Sequence, residues 1–148
     1  MKNKIIIAMS GGVDSSVSAL LLVQQGYHVE AVFMRNWEDD DGSPYCSVKE
    51  DFLDAAQVAD KLGINLVQMN FAKQYRDKVF NYFLNELNNG KTPNPDIYCN
   101  KFIKFKEFTD YAMQNGFDAV ATGHYSKVQV IDREHFLCKS YDQSKDQT

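Results

Sequence analysis

Apolar residues fall along this chain in two alternating rhythms, short unbroken runs and helical stripes. Residues 5–9, Ile-Ile-Ile-Ala-Met, are continuously apolar, which predicts a strand buried on both faces. Residues 15–25 carry Val17, Leu20 and Leu21 at helical spacing, and Gly26 stops that helix. A second strand is predicted over 28–34, a helix over 49–62 closed by Gly63, and a third strand over 64–69. Residues 75–88 place Val79, Phe80, Phe83, Leu84 and Leu87 on one helical face and end before Gly90. A helix over 102–115 turns Phe105, Phe108 and Ala112 inward, and 117–122 reads as strand four. Residues 127–131 and 135–139 form a hairpin around Asp132-Arg133-Glu134, followed by a polar stretch over 141–148. Two stretches lack periodicity: an acidic loop over 35–47, and the loop 91–100, which Pro93 and Pro95 hold extended. Strands alternating with helices imply an α/β, doubly wound, mostly parallel sheet with helices on both faces. Ligands bind such sheets at the carboxyl ends of the strands. The loop after residue 9, Met34, the loop after Pro93 and Gly123 are expected to converge there.

Composition narrows this picture. The chain has 148 residues, 44% hydrophobic and 13% aromatic, enough for one core without disulfides. No internal repeat or linker divides it, so 1–148 reads as one domain. The net charge of −4 rules out a chain-wide basic clamp for nucleic acid, leaving any such contact to a local patch. No apolar stretch is long enough to span a bilayer. Lys2 and Lys4 before an apolar run resemble a signal peptide, but the glycine turn cuts the run short and no small-residue cleavage site follows. The start reads as strand one of a cytoplasmic protein. Cys46, Cys99 and Cys138 make an odd count without Cys-x-x-Cys, which argues against a secreted disulfide scaffold or an all-cysteine zinc site. His28, His124 and His135 show no metal-ligand spacing.

The chemistry concentrates in Ser10-Gly11-Gly12-Val13-Asp14-Ser15-Ser16, which links the first strand to the first helix. Glycines let the backbone turn tightly and leave its N–H groups bare, and the helix N-terminus adds a favourable dipole for an anion. A Walker A loop would need Lys beside Ser/Thr, and no Lys lies between Lys4 and Lys49. The dinucleotide fingerprint Gly-x-Gly-x-x-Gly is also absent. From the residues alone two readings stand: a phosphate cradle, or a plain turn with Asp14 and Ser15 as caps. Asp14 also suits Mg²⁺, which prefers carboxylate oxygens. The second signal is Cys99, at the expected start of a helix after a proline-stiffened loop, with Lys101 and Lys104 nearby. That placement predicts a field favouring the thiolate. The alternative is a buried cysteine acting as a small hydrophobe. Cys138 reads as core, Cys46 as a surface thiol, Trp37 as core, and Asp39-Asp40-Asp41 as a solvated loop. His124 stands between a phosphate contact or acid and a packed loop histidine.

Ser10–Ser16, Met34-Arg35-Asn36-Trp37, Thr92–Asn100, Ile103-Lys104-Phe105, Ala121–Tyr125 and Lys145-Asp146-Gln147 occur in the order found in the tRNA-specific 2-thiouridylase (MnmA) family of PP-loop ATP pyrophosphatases, which the chain resembles throughout. The resemblance implies the Rossmann-like adenine nucleotide alpha hydrolase fold. It also implies an activity: ATP adenylates the C2 oxygen of the wobble uridine of tRNAs for Lys, Glu and Gln, and a persulfide then supplies sulfur. Carried over by match, Ala8, Met9, Ser10, Gly11, Gly12, Val13, Asp14 and Ser15 bind ATP phosphates with Mg²⁺. Met34 and Gly123 line the adenosine pocket, and Asn94, Pro95 and Asp96 meet the target base. Cys99 is the nucleophile, and Lys145, Asp146 and Gln147 touch tRNA. A persulfide donor or sulfur-relay protein is the implied partner, and a disulfide bond comes with the family, with the pairing of Cys99 left open. Phe102 departs from the acidic residue often found after Cys-Asn-Lys. Relatives continue past Lys145-Asp146-Gln147 to a second cysteine and tRNA-binding domains, so the chain is expected to be an N-terminal fragment that binds ATP without completing thiolation. Another PP-loop enzyme, such as an amidotransferase-type synthetase or a tRNA lysidine synthetase, and a non-enzymatic nucleotide-binding module are the competing expectations.

Overall fold

In the computed structural model, which describes residues 3–36 and 48–148, Ile5, Ile6 and Ile7 are all buried at the centre of a four-stranded parallel sheet. The strands are β1 (Lys4–Ala8), β2 (His28–Arg35), β3 (Asn65–Asn70) and β4 (Ala119–Ala121), in the order β3-β2-β1-β4. Registers pair Ile5 with Val29 on one side and with Ala119 on the other. Successive side chains point to opposite faces of a strand. Ile7, Ala31 and Phe33 therefore share a core with Ala19 of α1 (Val13–Gln24) and Ala55 of α2 (Val48–Leu62). Ile6 and Val32 pack on the other face against Phe108 and Ala112.

Those two residues belong to α4, a continuous helical rod over 95–114 whose middle, Cys99–Glu107, is π-wound. A second rod, α3, runs over 72–88 with π winding at Arg76–Phe80. A separate hairpin, β5 (Lys127–Ile131) with β6 (Glu134–Cys138), completes the described elements. No helix among the described residues is long and apolar enough to cross a membrane.

The doubly wound arrangement and the glycine stops agree with the sequence reading: Gly26, Gly63 and Gly90 all have positive φ. Several details differ. The first helix begins at Val13, two residues early, and buries Ser15 and Ala19 while Val17, Leu20 and Leu21 stay exposed. Small residues face the sheet because the helix packs close to it. The rod expected from residue 75 begins at Ala72, because Asn70 Oδ1 accepts from the Ala72 N–H and opens the helix there. The helix expected from residue 102 begins at Pro95. Proline at the first helical position loses no hydrogen bond, and Asn94 Oδ1 caps it by accepting from the Asp96 N–H at 2.9 Å. Phe105, expected inward, is 49% exposed, since the wider π turn carries it off the core face. Cys138 is half-buried at the hairpin rather than in the core, and its neighbours Val128 and Leu137 are exposed. The turn of that hairpin needs only two residues, Asp132 (φ 51°) and Arg133 (φ 69°). Both described cysteines are free thiols, so the expected disulfide is not formed within the described residues. Trp37, Asp39-Asp40-Asp41 and Cys46 lie outside the described residues.

Candidate functional site

Strand order reverses between β1 and β4, so the loops leaving these two neighbours diverge and open a crevice. It is a cleft of about 460 Å³. From the end of β1 and the loop after it come Ala8, Met9 and Ser10, from α1 Asp14 and Ser15, from β2 Met34 and Arg35, and from the β4 end Thr122, Gly123 and His124.

Two glycines make the floor possible. Gly11 has φ +84°, and a Cβ there would sit 2.4 Å from the backbone oxygen of Asp51. A Cβ on Gly123 would meet the Ser15 nitrogen at 2.7 Å, so the loop after β4 lies directly against the first turn of α1. Serines fix the turn between them. The Ser10 N–H donates to Ser15 Oγ (3.2 Å), and the Ser15 and Ser16 hydroxyls donate to the Gly12 carbonyl (3.1 and 2.9 Å). These hydroxyls knot the loop instead of capping the helix, and α1 has no side-chain cap. Its first N–H groups are thus left for an anion. The simple-cap reading of Asp14 and Ser15 is not what the loop adopts.

Asp14 has two partners far along the chain. The Tyr125 hydroxyl donates to its Oδ1 (3.0 Å), and Lys145 Nζ lies 3.7 Å from the same oxygen. The Lys145 ammonium also sits 4.7 Å from the Tyr125 ring centre, and Asp14, then Tyr125, raise its pKa. Gln147 and Tyr125 exchange bonds, Gln147 N–H to the Tyr125 carbonyl (2.9 Å) and Tyr125 N–H to Gln147 Oε1 (3.0 Å). Asp146 instead accepts from the Ser140 N–H at 2.9 Å. Of the three residues expected at RNA, only Gln147 lines the cleft. The long-range partners of Asp14 carry no signal in local sequence, and Tyr125 was not a candidate for that reason.

Further groups complete the walls. His124 Nδ1 lies 2.8 Å from Thr122 Oγ1, and the ring packs 5.3 Å from that of Phe105. Burial, and then Lys104, push the His124 pKa down, so it is neutral at pH 7. Asn36 Oδ1 is buried without a hydrogen-bond partner among the described residues, an acceptor left open at the cleft wall. Asn36 was quoted in the Met34-Arg35-Asn36-Trp37 string without a role.

Asn94, Pro95, Asp96 and Cys99 are not in this lining. Cys99 is buried, 8% exposed, against Phe71, Val79 and Ile103. Met34 connects the two regions, because it lines the cleft and also packs on the Cys99 cluster. The expectation of a favoured thiolate is corrected here. Cys99 stands in the second turn of α4, and desolvation raises its pKa, with Lys104 opposing and Asp96 adding to the rise. Asp14 and Asp51 both line the cleft, and one or two carboxylates plus phosphates is the usual protein share of a Mg²⁺ shell. No cluster of three metal-ligating side chains occurs among the described residues.

Comparisons with known proteins agree with this geometry. The family model described as the tRNA methyl transferase HUP domain matches residues 3–148. Proteins named tRNA-specific 2-thiouridylase MnmA are similar: that of Chromobacterium violaceum is 56% identical over 99% of this chain and 38% of its own length, and that of Neisseria meningitidis serogroup A is 58% identical over 99% and 40%. The chain therefore spans about 40% of the length of these curated relatives. Among solved structures, the U34-tRNA thiolase NcsA from Methanococcus maripaludis with its [4Fe-4S] cluster aligns with TM-score 0.54 at 21% identity, covering 84% of this chain and 40% of that one. A predicted tRNA methyltransferase subunit from Methanocaldococcus jannaschii aligns with TM-score 0.51 at 19% identity, covering 83% and 53%. Both share the fold. A glycine cradle at the switch point of a 3-2-1-4 sheet and a family match over nearly every residue lead to one assignment: the chain belongs to the tRNA methyl transferase HUP domain family.

Proposed function

We propose that this chain is the ATP-binding catalytic domain of a tRNA 2-thiouridylase. The observation that carries the reading is the uncapped N-terminus of α1 beside two close-approach glycines, Gly11 and Gly123. That arrangement suits a polyphosphate, and the open acceptor of Asn36 suits an amino group such as adenine's. In this reading the C2 oxygen of the wobble uridine in tRNAs for Lys, Glu and Gln attacks the α-phosphorus of ATP, and pyrophosphate leaves. A persulfide sulfur on a carrier cysteine then attacks C2 and AMP departs with the oxygen; the Cys99 thiolate takes the carrier's sulfur in a disulfide, which breaks the S–S bond and leaves the outer sulfur on C2.

Each group has a role of its own. Ala8 to Ser15 hold phosphate through bare N–H groups, and Met34 and Gly123 bound the adenosine. Asp14 and Asp51 are the residues that would hold Mg²⁺, which supplies charge neutralisation at the phosphates. Asn94, Pro95 and Asp96 form a stiff exposed rim for a uridine turned out of its loop. Cys99 is the nucleophile, and a relay partner supplies the persulfide sulfur. Lys145, Asp146 and Gln147 contact RNA beside the cleft. The relatives' names support the substrate class, and in this reading the site of action is the cytoplasm.

Calorimetric titration with ATP and Mg²⁺, beside Asp14→Ala, tests the site. Saturable binding weakened in the variant supports it, and no binding by folded wild-type chain overturns it. A thiolation-dependent readout, 2-thiouridine content of tRNA in cells relying on the full-length protein with Cys99→Ser, separates this reading from other PP-loop enzymes. Unchanged 2-thiouridine in that variant would sink the role of Cys99.

A further inference from the structure

Lys104 lines the cleft yet rises from the same π-wound stretch that begins with Cys99. In an α-helix the fifth residue on lies about 140° round the axis, so Lys104 would face away from Cys99. Here the bonding is i→i+5, seen where the Phe108 N–H donates to the Ile103 carbonyl. The wider turn swings Lys104 back toward the Cys99 side, a distortion frequent at functional sites. Among neighbouring cations on the rods, Lys78 pairs with Glu107, Lys106 with Asp110 at 3.1 Å, and Lys101 lies over its neighbour Phe102, 5.4 Å from the ring centre. Lys104 makes no ion pair among the described residues.

The surroundings of Cys99 leave that ammonium a clear task. The apolar cluster that buries Cys99 draws on three elements, Phe71 and Val79 on the α3 side, with Met34 from β2 and Met69 from β3 packed against it. Its titratable neighbours are Tyr75 from α3 and Asp96 from its own helix. Asp96 disfavours a negative sulfur, and Tyr75 offers no positive charge. Among the described residues, Lys104 is the group that opposes them.

We propose that Lys104 is a cation shared between the cleft and Cys99: it partners the polyphosphate while the cleft is filled and the Cys99 thiolate once that charge leaves. The proposal rests on reading the cleft as a nucleotide site. It orders the reaction. Cys99 stays a thiol while ATP is intact, and gives its proton to solvent after pyrophosphate departs. Adenylation then precedes sulfur chemistry without a moving domain.

The test is the pH–rate profile of Cys99 alkylation by iodoacetamide, followed on its own peptide by mass spectrometry. Wild type, Lys104→Met, Lys104→Gln and Lys104→Arg are compared with and without α,β-methylene-ATP and Mg²⁺, with binding of the analogue checked by calorimetry. In nucleotide-free protein, removing the charge raises the midpoint by about one pH unit, a roughly tenfold slower reaction below it, at unchanged melting temperature, and Arg restores the profile. The analogue moves the wild-type midpoint the same way and leaves Lys104→Met where it was; simple shielding would lower the plateau without moving the midpoint. A nucleotide-free profile identical in wild type and both neutral variants overturns the proposal. Analogue that binds yet leaves the wild-type midpoint in place overturns the sharing. Absence of binding removes the nucleotide reading and the sharing with it, while the nucleotide-free comparison still decides whether Lys104 governs Cys99.

Discussion

Gly123→Ala separates a steric claim about the site from a conformational one. Gly123 has no left-handed backbone, so alanine suits its φ, and in open space the change would stabilise by about 0.4–1 kcal/mol. The space is not open. The added carbon would lie 2.7 Å from the Ser15 nitrogen and 2.9 Å from the Asp14 carbonyl carbon, where ordinary contact begins at 3.4 Å. These are backbone atoms of a helix and cannot rotate away. Overpacking of this kind costs about 1–3 kcal/mol, which in a domain of this size lowers the melting temperature by roughly 2–12 °C. The relief is a separation of the β4 loop from α1, which opens the anion cradle, so ATP affinity falls at least tenfold by calorimetry. Gly12→Ala is the control. Its φ of −74° accepts alanine, and the new carbon meets only Ser10 Oγ at 3.4 Å. Thermal melts of the two variants should therefore diverge, with the motif glycine tolerant and the distant one not. Gly123→Ala melting with wild type, or Gly12→Ala falling as far, would refute the close-contact argument.

Other outcomes follow from single features. Burial of Cys99 and half-exposure of Cys138 predict that Cys138 is alkylated before Cys99 at neutral pH, read by peptide mass spectrometry. His124, with its pKa lowered on folding, takes up its proton more readily in the unfolded chain. Stability is then full above the unfolded pKa of about 6.5 and declines as pH falls toward the folded value, and His124→Gln should flatten that part of a melting-temperature profile. Arg133→Gly places glycine at a φ of 69° in a two-residue hairpin turn and should stabilise by about 1 kcal/mol in denaturant unfolding. Phe108→Ala empties the centre of the second core and should cost about 3–5 kcal/mol.

Buried parallel strands were the most legible part of the sequence, because Ile5-Ile6-Ile7 admits little else. The helix faces were less so. Leucines at 3.6-residue spacing on α1 point outward, and a serine and an alanine pack inward, since periodicity reports which residues share a face but not which face meets the sheet. The start of α4 lies earlier than its apolar spacing predicts because Pro95, expected to hold the loop extended, stands at the first helical position, where proline costs nothing. The glycine loop was visible as a motif. Its setting was not: Gly123 against Ser15, and Tyr125 and Lys145 on Asp14, join residues more than a hundred positions apart. The π winding that relates Lys104 to Cys99 leaves no mark in composition.

The strand order also dictates when this protein can finish folding. β1 is the second strand from the β4 edge, and its outer side waits for Ala119 to Ala121. At 5–20 residues per second, the ribosome takes roughly 4 to 17 s to go from the end of β2 to β4. During that interval Ile5, Ile6 and Ile7 have a partner on one side only. The segment that ends the wait is followed at once by Gly123 and Tyr125, and soon by Lys145. Sealing the sheet and assembling the cleft are thus one event, and a nascent chain cannot present a finished phosphate cradle on an unfinished sheet.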